Sequence, residues 1–278
     1  MEKKKYTRPE LLTTPEELKA KLGAPNLRVI DTRQAEVYAQ GHIPGAIHFD
    51  LFGISLIDTS PAPLAAFMSM IAHLFELRGV NLDTEVVFYE ENSGMKAARG
   101  LWFLEYFGHK KVSVLDGGIQ AWKKAGYPVT SEAVPPKGTQ FKVSEQRDTL
   151  ATYEDVLKSI DNARAKIVDT RSADEYMGRL VRAARGGAVP GAVHLEWTQN
   201  IAPDGGFKTE AELRSMYEKL GVTPDKEAVA YCQGGYRAAH TYLALRLLGF
   251  PKVRNYIGSW KEWGDRQDLP IEKPWEKK

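Results

Sequence analysis

Apolar residues along this chain come in two rhythms. Short β-branched or aromatic runs, Leu27 to Ile30, Val86 to Tyr89, Val112 to Leu115 and Ala228 to Tyr231, read as buried strands bounded by turn residues. Between them, Leu64 to Leu77, Met95 to Phe107, Gly118 to Ala125 and Ala238 to Leu248 carry apolar residues at helical spacing. A further helix is announced by Thr14-Pro15-Glu16-Glu17, a capping residue followed by proline and then by Glu at the third position, and it ends near Gly23. Another helical segment runs from the end of Asp31-Thr32-Arg33 to Gln40. Strands alternating with helices predict an α/β fold, with a parallel-type sheet flanked by helices on both faces.

The pattern is then repeated. Asp31-Thr32-Arg33 returns as Asp169-Thr170-Arg171, Pro44-Gly45-Ala46 as Pro190-Gly191-Ala192, and Val86 to Tyr89 as Ala228 to Tyr231. A repeat of this length is a duplicated domain, not a solenoid unit. The expected division is a first domain over residues 1–134, a linker over 135–147 containing the stiff, polar Pro135-Pro136-Lys137-Gly138, and a second domain over 148–278.

The copies differ most after the strand ending at Tyr89 or Tyr231. The second continues Cys232-Gln233-Gly234-Gly235-Tyr236-Arg237-Ala238, with the only cysteine among 278 residues. In a strand, loop, helix order, loop amides and the free N–H groups of the helix converge above the loop and favour negative charge there. Such a field, with a nearby cation, lowers a thiol's pKa, so Cys232 is expected to be partly thiolate and nucleophilic. A lone cysteine at a strand end is more often a small buried hydrophobe. Two glycines and an arginine beside it shift the balance, since a merely structural turn requires none of them. In the first copy Glu90 stands where the thiol would be, so that copy is read as catalytically silent.

Four residues, Gln233 to Tyr236, separate Cys232 from Arg237. Tyrosine phosphatases use a spacing one residue longer, around a tetrahedral oxyanion. The tighter ring suits one extra sulfur atom, and with Asp169-Thr170-Arg171, Pro190-Gly191-Ala192 and the closing Gly258-Ser259-Trp260-Lys261-Glu262-Trp263-Gly264 the chain resembles tandem-domain members of the rhodanese family. That resemblance implies two rhodanese-like domains and sulfur transfer from a small-molecule donor through a Cys232 persulfide to a thiophilic acceptor such as cyanide or a thiol, without metal or organic cofactor. A protein sulfur acceptor is a further expected partner. The amides of Gln233, Gly234, Gly235, Tyr236 and Ala238 are expected to hold the sulfur, with Arg237 fixing the loop against backbone carbonyls and adding positive potential. The thiol is expected to be open to solvent.

Donor choice follows from the loop. Mercaptopyruvate enzymes of the family resemble Cys-Gly-Ser-Gly-Val-Thr, and the serine and threonine are missing here. Thiosulfate enzymes often carry basic residues after the cysteine; Cys232-Gln233 matches the opening of a bacterial thiosulfate variant, while Gly234-Gly235 weakens the hold on a doubly charged donor. Thiosulfate is the expected donor. The alternatives are mercaptopyruvate, a persulfide carrier serving a protein, and a cysteine-dependent phosphatase. The span from Tyr176 to Pro190 is eight residues longer than that from Tyr38 to Pro44 and holds Arg179, Arg182 and Arg185. Arg179 or Arg185 is expected to touch the anionic donor.

Composition narrows the partners. Apolar content of 43% and charged content of 27% are those of an ordinary globular protein. A net charge of +2 from interspersed residues implies neither nucleic acid nor a membrane surface. The lysines at 3 to 5, 277 and 278 read as solvated ends. One cysteine forbids an intramolecular disulfide and, with no signal-peptide core and no membrane-length apolar run, makes a cytoplasmic setting the default. His42 and His48 belong to a turn that looks structural, His240 to a packed helix position, Trp260 and Trp263 to the anchoring of a terminal helix, and Asp169 with Arg171 to an orienting pair.

Overall fold

The computed structural model describes residues 4–276, and the lysines at 3, 277 and 278 lie outside them. The strands are β1 (Leu12–Thr13), β2 (Leu27–Asp31), β3 (Ile47–His48), β4 (Glu85–Tyr89), β5 (Val112–Leu115), β6 (Leu150–Ala151), β7 (Ala165–Asp169), β8 (Val193–His194), β9 (Glu227–Tyr231) and β10 (Val253–Tyr256). The helices are α1 (Pro15–Lys21), α2 (Ala35–Gln40), α3 (Pro61–Glu76), α4 (Met95–Tyr106), α5 (Gly118–Lys124), α6 (Tyr153–Ser159), α7 (Ala173–Tyr176), α8 (Glu210–Lys219), α9 (Tyr236–Leu247) and α10 (Ser259–Asp265). Two five-stranded sheets form, ordered β1-β5-β4-β2-β3 and β6-β10-β9-β7-β8, with every pairing parallel. The second order is the first advanced by five strands, which is the duplication seen in the sequence.

The chain separates into two compact units. The first comprises residues 1–54, 66–146 and 201–209, and the second 55–65, 147–200 and 210–278. In the first unit Val29, Val87 and Tyr89 face Leu18 of α1 and Ile119 and Trp122 of α5. Their alternates cover the opposite face, where Phe88 meets Phe75 of α3 edge-on and touches Gly100 of α4. Strand side chains alternate between faces, so a sheet covered on both sides needs the near-continuous apolar runs this sequence carries. Thr14 caps α1 as expected, its hydroxyl accepting from Glu17 N at 3.2 Å while Thr14 N donates to the Glu17 carboxylate at 3.0 Å. Lys4 is not a solvated end: its ammonium donates to Phe207 O at 2.5 Å and lies 3.5 Å from Asp116. Residues 135–146 run without regular structure, pinned to the first unit by Phe141, whose N–H donates to Glu76 Oε1 at 2.9 Å.

In the second unit Ile167, Val229, Tyr231 and Tyr256 pack with Val156, Trp260 and Trp263 on one face of the sheet. Ala230 and Cys232 take the other face, against Ala238 of α9. At the carboxyl ends of the strands both units carry the same buried assembly. Arg171 forks onto Asp169 (2.9 and 2.5 Å) and donates to Gly187 O, and Tyr231 OH donates to Asp169 at 2.5 Å. Arg33, Asp31, Gly41 and Tyr89 repeat these contacts in the first unit. The Asp-Thr-Arg pairs are therefore architecture, as their presence in both copies had suggested. His42 is likewise committed, its ring nitrogens 2.8 Å from Tyr38 O and 3.0 Å from Glu132 O. Among the described residues no helix is long and apolar enough to cross a membrane.

Candidate active site

Cys232 follows directly on β9, and α9 begins at Tyr236. The turn between them needs a positive φ at Gly235 (+81°), where a Cβ would lie 2.9 Å from Ile257 O, so only glycine fits without displacement. Trp260 N donates to Cys232 O at 2.9 Å and Lys261 N to Gln233 O at 3.0 Å, so the free amides of α10 fasten the loop's carbonyls. Ser259 holds the loop from below. Its hydroxyl accepts from Cys232 N and Gly235 N, both at 3.0 Å, donates to Tyr256 O at 2.7 Å, and lies 4.0 Å from the cysteine sulfur.

The Cys232 side chain is only 1% exposed, which corrects the expectation of a solvent-open thiol. The cause is strand register: Cys232 continues the face of β9 that Ala230 occupies, and α9 covers that face with Ala238. The amides nevertheless turn as the chemistry requires. Burial pushes the thiol's pKa up, but the Arg237 charge and hydrogen bonds from the amides of Ala238, Gly234 and Arg237 outweigh it, leaving the pKa below its ordinary value. Gly235 N–H is an exception to the predicted ring, being spent on Ser259. Gln233 contributes through its side chain, whose amide donates to Arg182 O at 2.8 Å. Tyr236 opens α9 and is buried.

Arg237 is held differently from expectation. Its guanidinium meets no backbone carbonyl of the loop; it forks onto Glu175, with Nη1 to Oε2 at 2.5 Å and Nη2 to Oε1 at 2.9 Å. Glu175 is buried and sits in the first turn of α7, closing a capping box with Ser172. Burial would raise its pKa, but the Arg237 hydrogen bond and charge bring it down to about 2. The insertion's arginines also fall out otherwise than the sequence suggested. Arg185 donates to the carbonyls of Gly264, Leu269, Trp263 and Arg266, and so staples the insertion to the end of α10 with its fork consumed. Arg179 makes an exposed ion pair with Asp174 at 2.6 Å. Arg182, not favoured from sequence, is the one at the loop: its carbonyl holds Gln233 and its guanidinium lies 3.6 Å from Glu175.

Sequence reasoning assigned no role to Glu175 or Ser259. A signal existed for the first, because Ser172 and Glu175 have capping-box spacing, but its reach to Arg237, 62 positions away, is tertiary. His240 is packed, as expected, with its ring 5.0 Å from that of Trp197 and Nδ1 3.4 Å from Asn200. No group of three or more His, Cys, Asp or Glu able to hold a metal occurs among the described residues.

In the first unit the Glu90 carboxylate occupies the equivalent space and accepts from Lys96 N at 2.7 Å and Ala97 N at 3.1 Å, the counterparts of the Arg237 and Ala238 amides. Lys96 itself pairs with Asp50 at 3.0 Å. The first copy thus fills its own turn with a side chain.

Comparison with known proteins agrees with this geometry. A model of the rhodanese-like domain matches residues 14–125 and again residues 152–266. The chain belongs to the rhodanese family. Among rhodanese relatives, the thiosulfate sulfurtransferase of Azotobacter vinelandii is 37% identical over 263 residues, covering 94% of this chain and 97% of that protein. The sulfur carrier protein TtuD of Thermus thermophilus is 36% identical over 284 residues, covering 96% and 98%. The anaerobic ergothioneine biosynthesis enzyme of Chlorobium limicola, solved with trimethyl histidine, superposes with a TM-score of 0.83 over 96% of this chain and 71% of that one. At 23% identity that last likeness speaks for the shared fold alone.

Proposed function

We propose that this rhodanese is a sulfurtransferase that moves the outer sulfur of thiosulfate to a thiophilic acceptor by double displacement at Cys232. The Cys232 thiolate attacks the sulfane sulfur, the S–S bond of thiosulfate breaks, and sulfite leaves with the electron pair. A Cys232 persulfide anion remains. Cyanide, or a thiolate, then attacks the terminal sulfur, and the cysteine departs as thiolate. Charge is conserved in both steps, and no redox partner is needed. The observation that carries the reading is the convergence of the Gly234, Arg237 and Ala238 amides and the Arg237 charge on one sulfur atom. Donors already oriented toward the position of charge stabilise it without reorganising.

Thiosulfate is favoured over mercaptopyruvate because the loop lacks the serine and threonine of the latter type and relatives at 35 to 37% identity are named for thiosulfate. Activity resides in the second domain, residues 148–278, and the first, 1–134, is inert because its turn is filled by Glu90. A cytoplasmic setting fits a lone free thiol. The full-length similarity to a sulfur carrier supports a protein as one physiological acceptor of the same persulfide.

The test is the intact mass of the protein after thiosulfate treatment. A gain of one sulfur atom, reversed by cyanide and absent from Cys232→Ala, is expected. Unmodified wild-type protein that binds phosphate at the loop would overturn the assignment in favour of a phosphatase.

A further inference from the structure

We propose that Glu175 is a positioning residue for sulfur transfer: its carboxylate aims the Arg237 guanidinium at Cys232 through a two-point fork. The assignment rests on the persulfide reading above. A fork fixes direction as well as charge, because the planar guanidinium must lie in the plane of both carboxylate oxygens. Glu175 is itself held. Its oxygen Oε2 accepts from Ser172 N and Ser172 Oγ at 3.1 Å each, its own N–H donates back to Ser172 Oγ at 3.3 Å, and Arg182 approaches Oε1 to 3.6 Å. The chain from Ser172 through Glu175 to Arg237 therefore joins the start of α7 to the first turn of α9.

The duplicated fold supplies an internal control. Aligned on Asp31-Thr32-Arg33 and Asp169-Thr170-Arg171, the first copy has Val37 where Glu175 stands and Gln34 where Ser172 stands. Gln34 makes no side-chain cap on α2, and Lys96, in the place of Arg237, turns to Asp50. The residues common to both copies, Asp169, Arg171 and Tyr231 with Asp31, Arg33 and Tyr89, make the same buried contacts with or without a thiol nearby. Glu175, Ser172 and Arg237 occur only in the copy that has the cysteine. Glu175 and Arg237 thus change together with the thiol and are bonded to each other, whereas the shared residues keep the same contacts in both copies.

The sign of one measurement separates this role from a simpler one. A carboxylate that acted only as a negative charge near the sulfur would disfavour the thiolate, so its removal would lower the thiol's titration midpoint. A carboxylate that aims Arg237 favours the thiolate indirectly, and its loss raises the midpoint. The experiment is an ultraviolet titration of the Cys232 thiolate, with Cys232→Ser as blank, paired with the single-turnover rate of persulfide formation from thiosulfate. For Glu175→Gln we expect a midpoint higher by about one pH unit and loading slowed at least about tenfold, with Glu175→Asp, which keeps the charge at shorter reach, falling between it and wild type. Glu175→Gln/Arg237→Ala should load no more slowly than Arg237→Ala alone, because groups acting through one another are not additive. A midpoint that falls or stays put in folded Glu175→Gln overturns the proposal, as does a double variant showing the product of the two single losses. Should Glu175→Gln not fold, an unmoved midpoint in Glu175→Asp overturns it equally. Wild type that takes no sulfur would refute the persulfide reading by itself, whereas the thiol midpoint of Glu175→Gln would still show whether Glu175 aims Arg237 at Cys232.

Discussion

Replacing Glu90 with glutamine should remove a pH-dependent penalty from the first unit. Burial, with a smaller contribution from Asp50, pushes the Glu90 carboxyl up to about 7, against the opposing pull of the Ala97 and Lys96 amides and the Lys96 charge. A folded-state pKa above the unfolded one means that the folded protein binds the proton more tightly. The associated stability is fully present below the ordinary value near 4.5 and is lost as pH rises through 7. Each pH unit between those values is worth about 1.4 kcal/mol, so the whole gap amounts to at most about 3 kcal/mol, trimmed by whatever solvent the partly exposed residue retains. Glutamine keeps an oxygen for Lys96 N and Ala97 N but cannot ionise. Urea unfolding of wild type and Glu90→Gln at pH 4 and pH 8 isolates the effect, because every other titration cancels in the difference. The variant should gain on wild type by about 2 to 3 kcal/mol between the two pH values. A difference independent of pH, or one running the other way, would refute the claim that this carboxyl is destabilised by its surroundings.

Two further outcomes follow from the site. Arg237→Ala should fold, lose about 3 kcal/mol because the buried Glu175 carboxylate is left without its fork, and load sulfur at least about tenfold more slowly; thermal melts and the mass assay check both, and full turnover would remove Arg237 from the site. Ser259 has φ +54°, a conformation that costs a residue with a Cβ about 1 kcal/mol, and its hydroxyl holds two loop amides. Both Ser259→Ala and Ser259→Gly should therefore slow loading, while Ala unfolds about 1 kcal/mol more easily than Gly; equal stabilities would refute the backbone argument.

What the sequence made legible was periodic or local. The central strands and long helices announced themselves by runs and spacing, the Thr14 to Glu17 cap by its residue types, and the duplication by repeated motifs. The edge strands Leu12–Thr13, Ile47–His48, Leu150–Ala151 and Val193–His194 are two residues each and have no period to detect. At the site, the loop and its lowered thiol pKa could be argued from neighbours in sequence. The fork of Glu175 onto Arg237, the hydroxyl of Ser259 beneath the loop and the diversion of Arg185 to four carbonyls depend on segments 24 to 84 positions apart. The burial of Cys232 was missed for a related reason. A strand-end position fixes which face a side chain takes, but not which helix lies over it.

The solitary sulfur has a consequence for the cargo. Many thiols that take on sulfane sulfur are discharged by a neighbouring cysteine, which ejects the extra atom and closes a disulfide. This chain contains no such neighbour, and its one thiol lies beneath the surface, out of reach of a second copy's equally sunken thiol. If Cys232 carries a persulfide as proposed, the protein cannot discharge it with a thiol of its own, and the sulfur must leave to an outside nucleophile.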